Sequence, residues 1–354
     1  PDRGTGDRSA SFAIPSDVSV YGGFAGGETM LEQRDPLANP TILSGDLAGD
    51  DASGFGNPSE NSLHVVTADE TSAATLLDGF VIAGGNADLR TSSDGYSGGG
   101  LHGGNGNLRI AGCLFTQNEA EHGGGMFTGS GVPTLVDCKF RGNRAQMAAA
   151  LSNGQDATQI INCCFVGNEA QWGAGAVAGT GTFVNCRFNG NEAGWGGAMY
   201  LGISQPVLIG CTFHGNRALE SGGAIHFGVE VQGAIRNSIL CGNSAPVGPQ
   251  IAVYNDHWET EFLVAHSDVE GGKAAIYFLP DHPDPVVWGA GNVDANPLFV
   301  DAGHWESAGT TDPGDDVWVD GDYRLWTGSP CINTGDNATL PADTADLDGD
   351  GDTA

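Results

Sequence analysis

Four aspartates alternate in Asp346-Leu347-Asp348-Gly349-Asp350-Gly351-Asp352. Hard divalent cations take about six to eight oxygens, and alternate carboxylates on one short loop supply several of them. Asp fills the first, third and fifth places of a calcium loop and Gly the sixth, where the chain must turn sharply; the bidentate Glu of the twelfth place is missing. The expectation is Ca2+ on Asp346, Asp348, Asp350 and Asp352, against the plainer reading of an unliganded acidic tail. A second set stands just before runs of Gly and Ala: His122, Met147, Trp172 and Trp195. Trp172 and Trp195, with His122, would offer flat faces to sugar rings, or would simply cover a corner of the fold. A third set is basic: Lys139, Arg141, Arg187 and His214, with Arg144 and Arg217 close by. Such bases can take a proton while a guanidinium steadies a carboxylate. No carboxylate pair suited to a hydrolase stands opposite them, and no catalytic residue is assigned. Phosphate-binding, zinc-protease and nucleophile-elbow templates are absent from the sequence.

These residues must be positioned by a repeat. The phrase Cys-x-Phe-x-x-Asn-x-Ala, followed by small residues and an apolar one, begins at Cys113, Cys138, Cys163, Cys186 and Cys211, with a worn copy at Ser238. Its asparagines at 118, 143, 168, 191, 216 and 243 give periods of 25, 25, 23, 25 and 27 residues. A period of this size marks a repeat architecture. Within a copy the residues alternate in character, as in Ile161-Asn162-Cys163-Cys164-Phe165-Val166, and no window carries sustained helical spacing. With 58 glycines among 354 residues, short strands joined by tight turns are favoured. A propeller blade needs about 40 or more residues and a leucine-rich horseshoe needs its leucines, so neither fits. The reading is an all-β, right-handed parallel β-helix solenoid of about 9–11 coils, with loop insertions and capped ends. Coils about 4.8 Å apart put like residues over like residues. The Phe and Cys columns then both face inward, and the Asn column lies at a turn, where each amide bonds the coils on either side. Asn86, 32 residues before Asn118, reads as the start of an insertion reaching Ser97.

Phe213-His214-Gly215-Asn216 with Gly222-Gly223-Ala224-Ile225, and Phe188 to Asn191 with Gly196 to Met199, resemble the repeats of chlamydial polymorphic outer-membrane proteins. More widely the chain is similar to secreted parallel β-helix proteins of the pectate-lyase-like superfamily of the planctomycete type, through Val20-Tyr21-Gly22-Gly23-Phe24 and Asp322-Tyr323-Arg324-Leu325 to Ile332. That resemblance implies a secreted or cell-surface β-helix, whether adhesin or polysaccharide-active enzyme. Fold alone does not choose between them.

Composition narrows the partners. Lys plus Arg number 13 against 44 Asp plus Glu, a formal charge of −31. Such a surface repels nucleic acid and invites divalent cations. No apolar run is long enough to span a bilayer. No signal peptide is visible, and the chain reads as a mature or trimmed fragment. Of eight cysteines, five form the inward column as buried thiol filler; Cys164 and Cys241 should point outward, and Cys331 lies in the C-terminal segment. The expected organisation is one structural unit: 1–60 N-terminal cap and first coils, 61–275 regular β-helix, 276–340 closing coils and acidic loops, and 341–354 the Asp-rich tail. The function expected is a binding, adhesive or structural module facing polysaccharide or cell-surface glycan, able to assemble with itself through its coil ends. The alternative is a calcium-dependent polysaccharide lyase or glycoside hydrolase.

Overall fold

The computed structural model describes residues 6–340 except 53, 90–93, 156, 255–260, 281–282, 308 and 310–315. The chain divides into two compact units, Pro1–Gln159 and Ile160–Ala354. Each is an all-β parallel solenoid, as the repeat requires.

In the first unit one face stacks Val66–Thr67, Leu101–His102, Met126–Thr128 and Leu151–Asn153. A second stacks Leu76–Asp78, Arg109–Ala111 and Thr134–Val136, and a third Phe80–Ala83, Leu114–Thr116 and Lys139–Arg141. A short corner sheet joins Asn86–Ala87, Glu119–His122 and Arg144–Met147. The second unit repeats the plan: Val177–Gly179 with Met199–Leu201, Ile225–Phe227 and Ile251–Val253; Thr182–Val184 with Val207–Ile209, Gln232–Arg236 and Glu261–Ala265; Cys164–Val166 with Arg187–Asn189, Thr212–His214 and Ile239–Cys241. Its corner sheet is Glu169–Ala170, Glu192–Trp195 and Arg217–Ser221.

Register follows the repeat residue by residue. Phe115 lies opposite Phe140, and Phe165, Phe188, Phe213 and Leu240 follow one another in the second unit. The rings lie nearly parallel, with centroids 4.6 Å apart for Phe115 and Phe140 and 4.5 Å for Phe188 and Phe213. That is the strand spacing itself, so the stack comes from in-register pairing. The five column cysteines are buried thiols. Their thiols donate to carbonyls of the same and the adjoining coil, as Cys186 Sγ does to Val184 and Ile160 at 3.4 and 3.3 Å. Burial pushes the Cys113 and Cys186 thiols well above their ordinary range, so they stay protonated. Cys241, expected to face outward, does so on its strand but is covered: His214 Nδ1 lies 3.4 Å from its sulfur.

Left-handed corners recurring along each coil explain the repeat's small residues. The position before each column cysteine has positive φ at Gly112, Asp137, Asn162, Asn185 and Gly210; so does the position before each ladder asparagine, at Gln117, Gly142, Gly167, Gly190 and Gly215. Gly, Asn and Asp adopt this conformation at least cost. The ladder asparagines themselves are not left-handed; they are buried bridges. Asn191 Oδ1 accepts from the backbone and side-chain nitrogens of Asn168, while its Nδ2 donates to the Phe165 carbonyl and to Asn216 Oδ1. Asn118 and Asn143 are joined the same way. Asn86 is not a rung: it pairs with Glu119, and Gly85 stands where the asparagine would, its N–H donating to Asn118 Oδ1 at 3.0 Å.

After Val286–Trp288 the chain stops adding parallel strands. Phe299–Asp301 pairs antiparallel with Asp322–Leu325, and His304–Glu306 with Val317–Val319. This strap lies over the wall of the second unit. Trp318 covers Gly190 and Gly215, where an added Cβ would stand 2.0 Å from its Cγ and 2.1 Å from its Cη2.

Replacing Asn191 by Ala leaves several buried partners unsatisfied, at about 1–3 kcal/mol for each. Urea unfolding should show a loss of about 3–5 kcal/mol for Asn191→Ala. Asn185→Gly, at an exposed left-handed corner, should move stability by less than about 1 kcal/mol.

Candidate functional site

In the second unit, Trp172 and Trp195 stand on adjacent turns of the corner. The Trp172 carbonyl accepts from the backbone N–H groups of Gly194 and Trp195 at 3.0 and 3.2 Å. Gly194 makes this possible, since a Cβ there would lie 3.1 Å from that carbonyl oxygen. The side chains are 51% and 37% exposed, with ring centroids 6.1 Å apart and planes tilted by 34°. Two large apolar faces are therefore held side by side in water. Glu169 and Glu192 pair next to them, and Arg217 reaches Glu192 at 4.0 Å.

In the first unit, His122 ends the corner strand opposite Met147, and its ring meets Tyr96 at 5.7 Å. It borders a cleft of about 390 Å³ lined also by Asp69, Tyr96, His102, Asn105 and Phe127. His102 stacks on Phe127 at 5.5 Å. Its Nδ1 lies 3.0 Å from the Ser97 carbonyl, an acceptor only, so that nitrogen is the donor. Asp69 Oδ1 accepts from the N–H groups of Glu70 and Asn105. The cleft thus combines aromatic faces with an amide, imidazoles, a phenol and one carboxylate, an arrangement suited to binding a polyhydroxylated ligand.

Four of the six basic residues are occupied with structure. In the first unit the Arg144 guanidinium lies over Phe55 at 4.5 Å. In the second, the strap engages the others. Arg217 pairs with Asp316 at 3.1 Å and lies 4.0 Å over Trp305, whose Nε1 donates to the Gly215 carbonyl at 2.7 Å. Arg187 donates to Cys164 Sγ at 3.0 Å and faces the Tyr323 ring, while His214 packs among Phe299, Trp318 and Tyr323. A strap contact such as Arg217 with Asp316 joins residues 99 apart, which no local pattern could announce.

The sequence reading also passed over an aromatic column. It occupies the second residue of the strand after the small residues: His102 and Phe127 in the first unit, Tyr200 and His226 in the second. Tyr200, His226, Tyr254 and Tyr277 stack in succession at 5.0, 5.1 and 5.2 Å. The signal was present in Leu101-His102, Met126-Phe127, Met199-Tyr200 and Ile225-His226. The expected calcium ligands Asp346, Asp348, Asp350 and Asp352 lie outside the described residues.

His226 is buried, with Nδ1 2.9 Å from Ser221 Oγ, and burial lowers its imidazole from 6.5 to about 4. The unfolded chain then binds the proton first, so stability from this group is complete above pH 6.5 and is lost as pH falls toward 4. Its contribution is about 3 kcal/mol, from the cost of a pKa shift. Unfolding of the parent protein and of His226→Phe, measured across that range, should show the parent losing stability more steeply by this amount.

Among the described residues no helix is long and apolar enough to cross a membrane, which says nothing of a β-barrel. No curated protein matches the chain. Residues 210–228 match the family profile of the Chlamydia polymorphic membrane protein repeat. Those residues contain the strands Thr212–His214, Arg217–Ser221 and Ile225–Phe227, with ladder residue Asn216 and column residue Phe213 between the chain's left-handed corners. The chain is thus a β-solenoid carrying a repeat of the polymorphic membrane protein type.

Proposed function

We propose that this protein is a surface-type adhesive or binding module that recognises a polysaccharide or cell-surface glycan through aromatic side chains on its solenoid walls. The observation carrying the proposal is the Trp172 and Trp195 pair, half-exposed and side by side. Leaving two indoles wet costs free energy that folding alone does not require, and the C–H faces of sugar rings complement such surfaces. The His122 cleft, with its hydrogen-bonding groups among aromatic rings, supports the same ligand class. The polymorphic membrane protein-type repeat and the solenoid fit a surface protein of adhesive or structural role. Secretion or cell-surface display follows from this reading, as does association of copies through the coil ends.

The lyase or hydrolase reading draws no comparable support. Its strongest bases in the second unit, Arg187 and Arg217, are committed to Cys164, Asp316 and aromatic rings. Among the described residues the His122 cleft offers one carboxylate, Asp69, whereas glycoside hydrolysis commonly uses two.

A glycan array with the purified protein tests the proposal directly. Replacing both Trp172 and Trp195 by Ala should weaken binding by about 30-fold or more, the size of a hot-spot loss of 2 kcal/mol. His122→Ala provides the corresponding probe of the cleft. Binding that is unchanged in all three substitutions would remove the aromatic surfaces from consideration.

A further inference from the structure

The loop between Ser44 and Ser62 gathers four carboxylates. One oxygen from each of Asp46, Asp50 and Glu60 lies within 4.8 Å of the other two. Asp51 stands beside them, its carboxyl raised above the usual range by burial and by the negative charge of Asp46, Glu60 and Asp50. Among the described residues no lysine or arginine forms an ion pair with any of the four. Arg8, which bonds to this loop, gives its Nε to the Asn61 carbonyl and its Nη2 to Asp88 and the Asn86 carbonyl.

What remains unsatisfied is a set of acceptors. Glu60 Oε1 and Asn61 Oδ1 are shut off from water and receive no hydrogen bond. Asn61 is 1% exposed and stands beside the cluster, its Nδ2 donating to Asp51 Oδ2 at 2.7 Å. A hydrogen-bond donor or a cation satisfies such oxygens, but only a cation also offsets the carboxylate charge gathered around them.

We propose that Asp46, Asp50 and Glu60, together with the Asn61 amide oxygen, form a binding site for a divalent cation of the calcium class. Calcium accepts carboxylate and amide oxygens in irregular geometry at about 2.3–2.6 Å, so oxygens on opposite sides of it lie up to about 5 Å apart. The spread in this loop closes on such an ion with little movement. Magnesium, at about 2.0–2.1 Å and nearly octahedral, demands a tighter and more regular set. Asp46 prepares the loop by accepting the N–H groups of Gly49, Asp50 and Asp51. A bound ion ties residues 46–51 to 60–61.

The full chain, stripped of metal by a chelator, is titrated with calcium chloride and with magnesium chloride by calorimetry and melted with and without each salt. Three proteins are compared: the parent, Asp50→Asn/Glu60→Gln, and Asp348→Ala/Asp350→Ala. The parent should bind calcium at least tenfold more tightly than magnesium and melt at higher temperature with it. Asp50→Asn/Glu60→Gln should lose one calcium equivalent and the melting shift, whereas Asp348→Ala/Asp350→Ala should keep both. If Asp50→Asn/Glu60→Gln is not folded by circular dichroism, Glu60→Gln alone serves, since Glu60 Oε1 makes no bond to lose; its calcium affinity should fall at least tenfold. A folded loop variant that retains the parent's stoichiometry and affinity overturns the proposal, and so does a parent that binds no calcium or binds it only through Asp348 and Asp350.

Discussion

A chain that climbs in coils must satisfy the backbone polar groups at every corner, where the strand ladder is interrupted. Here the asparagine of one coil serves the corner of the coil before it. Asn216 Nδ2 takes the Phe188 carbonyl, and Asn243 Nδ2 takes that of Phe213. Each Oδ1 also receives the preceding asparagine's N–H and Nδ2. The bridge works at one registration only, because a slip of a residue would turn the amide to the opposite face. Once that registration is set, phenylalanine lies on phenylalanine and thiol near thiol without further instruction. The ladder also has defined ends. Asn118 serves a coil whose own position is Gly85, and Asn243 passes its last donor to Gln250, which donates to Glu270.

Those columns leave the interior with little chemistry to offer. Its sulfurs are buried thiols, and its rings are stacked on one another. Chemistry and recognition are therefore confined to outward positions and to loops. Along the outer wall, strand pairing still sets the spacing, so aromatic residues recruited to one outward position on successive coils become neighbours. Tyr200 and His226 form one such line, continued to Tyr277 by Tyr254 from two residues beyond the in-register Ala252, and the two tryptophans at the corner form another. The solenoid turns a repeated choice of residue into a continuous surface.

What the sequence disclosed was whatever repeats. The period, the inward columns and the asparagine bridges all follow from like residues recurring at coil spacing. Asn86 misled because a plain asparagine sat one place from where the ladder ran, and only pairing with Glu119 reveals that Gly85 holds the position. The strap was illegible for a different reason. Trp305, Trp318 and Tyr323 occur once each in an acidic stretch, and their partners Gly215, Gly190 and Arg187 already had an explanation within the repeat. Positive φ accounts for a glycine at 190 or 215, yet the indole packed against both imposes a second, independent demand. In the acidic loop at 46–60, the convergence of oxygens depends on a chain reversal that no spacing encodes.

Charge then decides which kind of surface can do the recognising. With 44 acidic against 13 basic residues, the chain meets an anionic polymer with net repulsion. Several of the cations that could reverse this locally are already engaged, Arg217 with Asp316, Arg34 with Asp78 and Lys273 with Asp284. Contacts through aromatic faces escape the difficulty, because their attraction to a neutral sugar ring depends on buried apolar area and is little affected by salt. If the proposed glycan recognition holds, an acidic solenoid with wet indoles is better matched to uncharged glycans than to uronate-rich ones. The same charge favours any cation that bridges carboxylates, so the two proposals, ion binding and neutral-ligand recognition, rest on one composition.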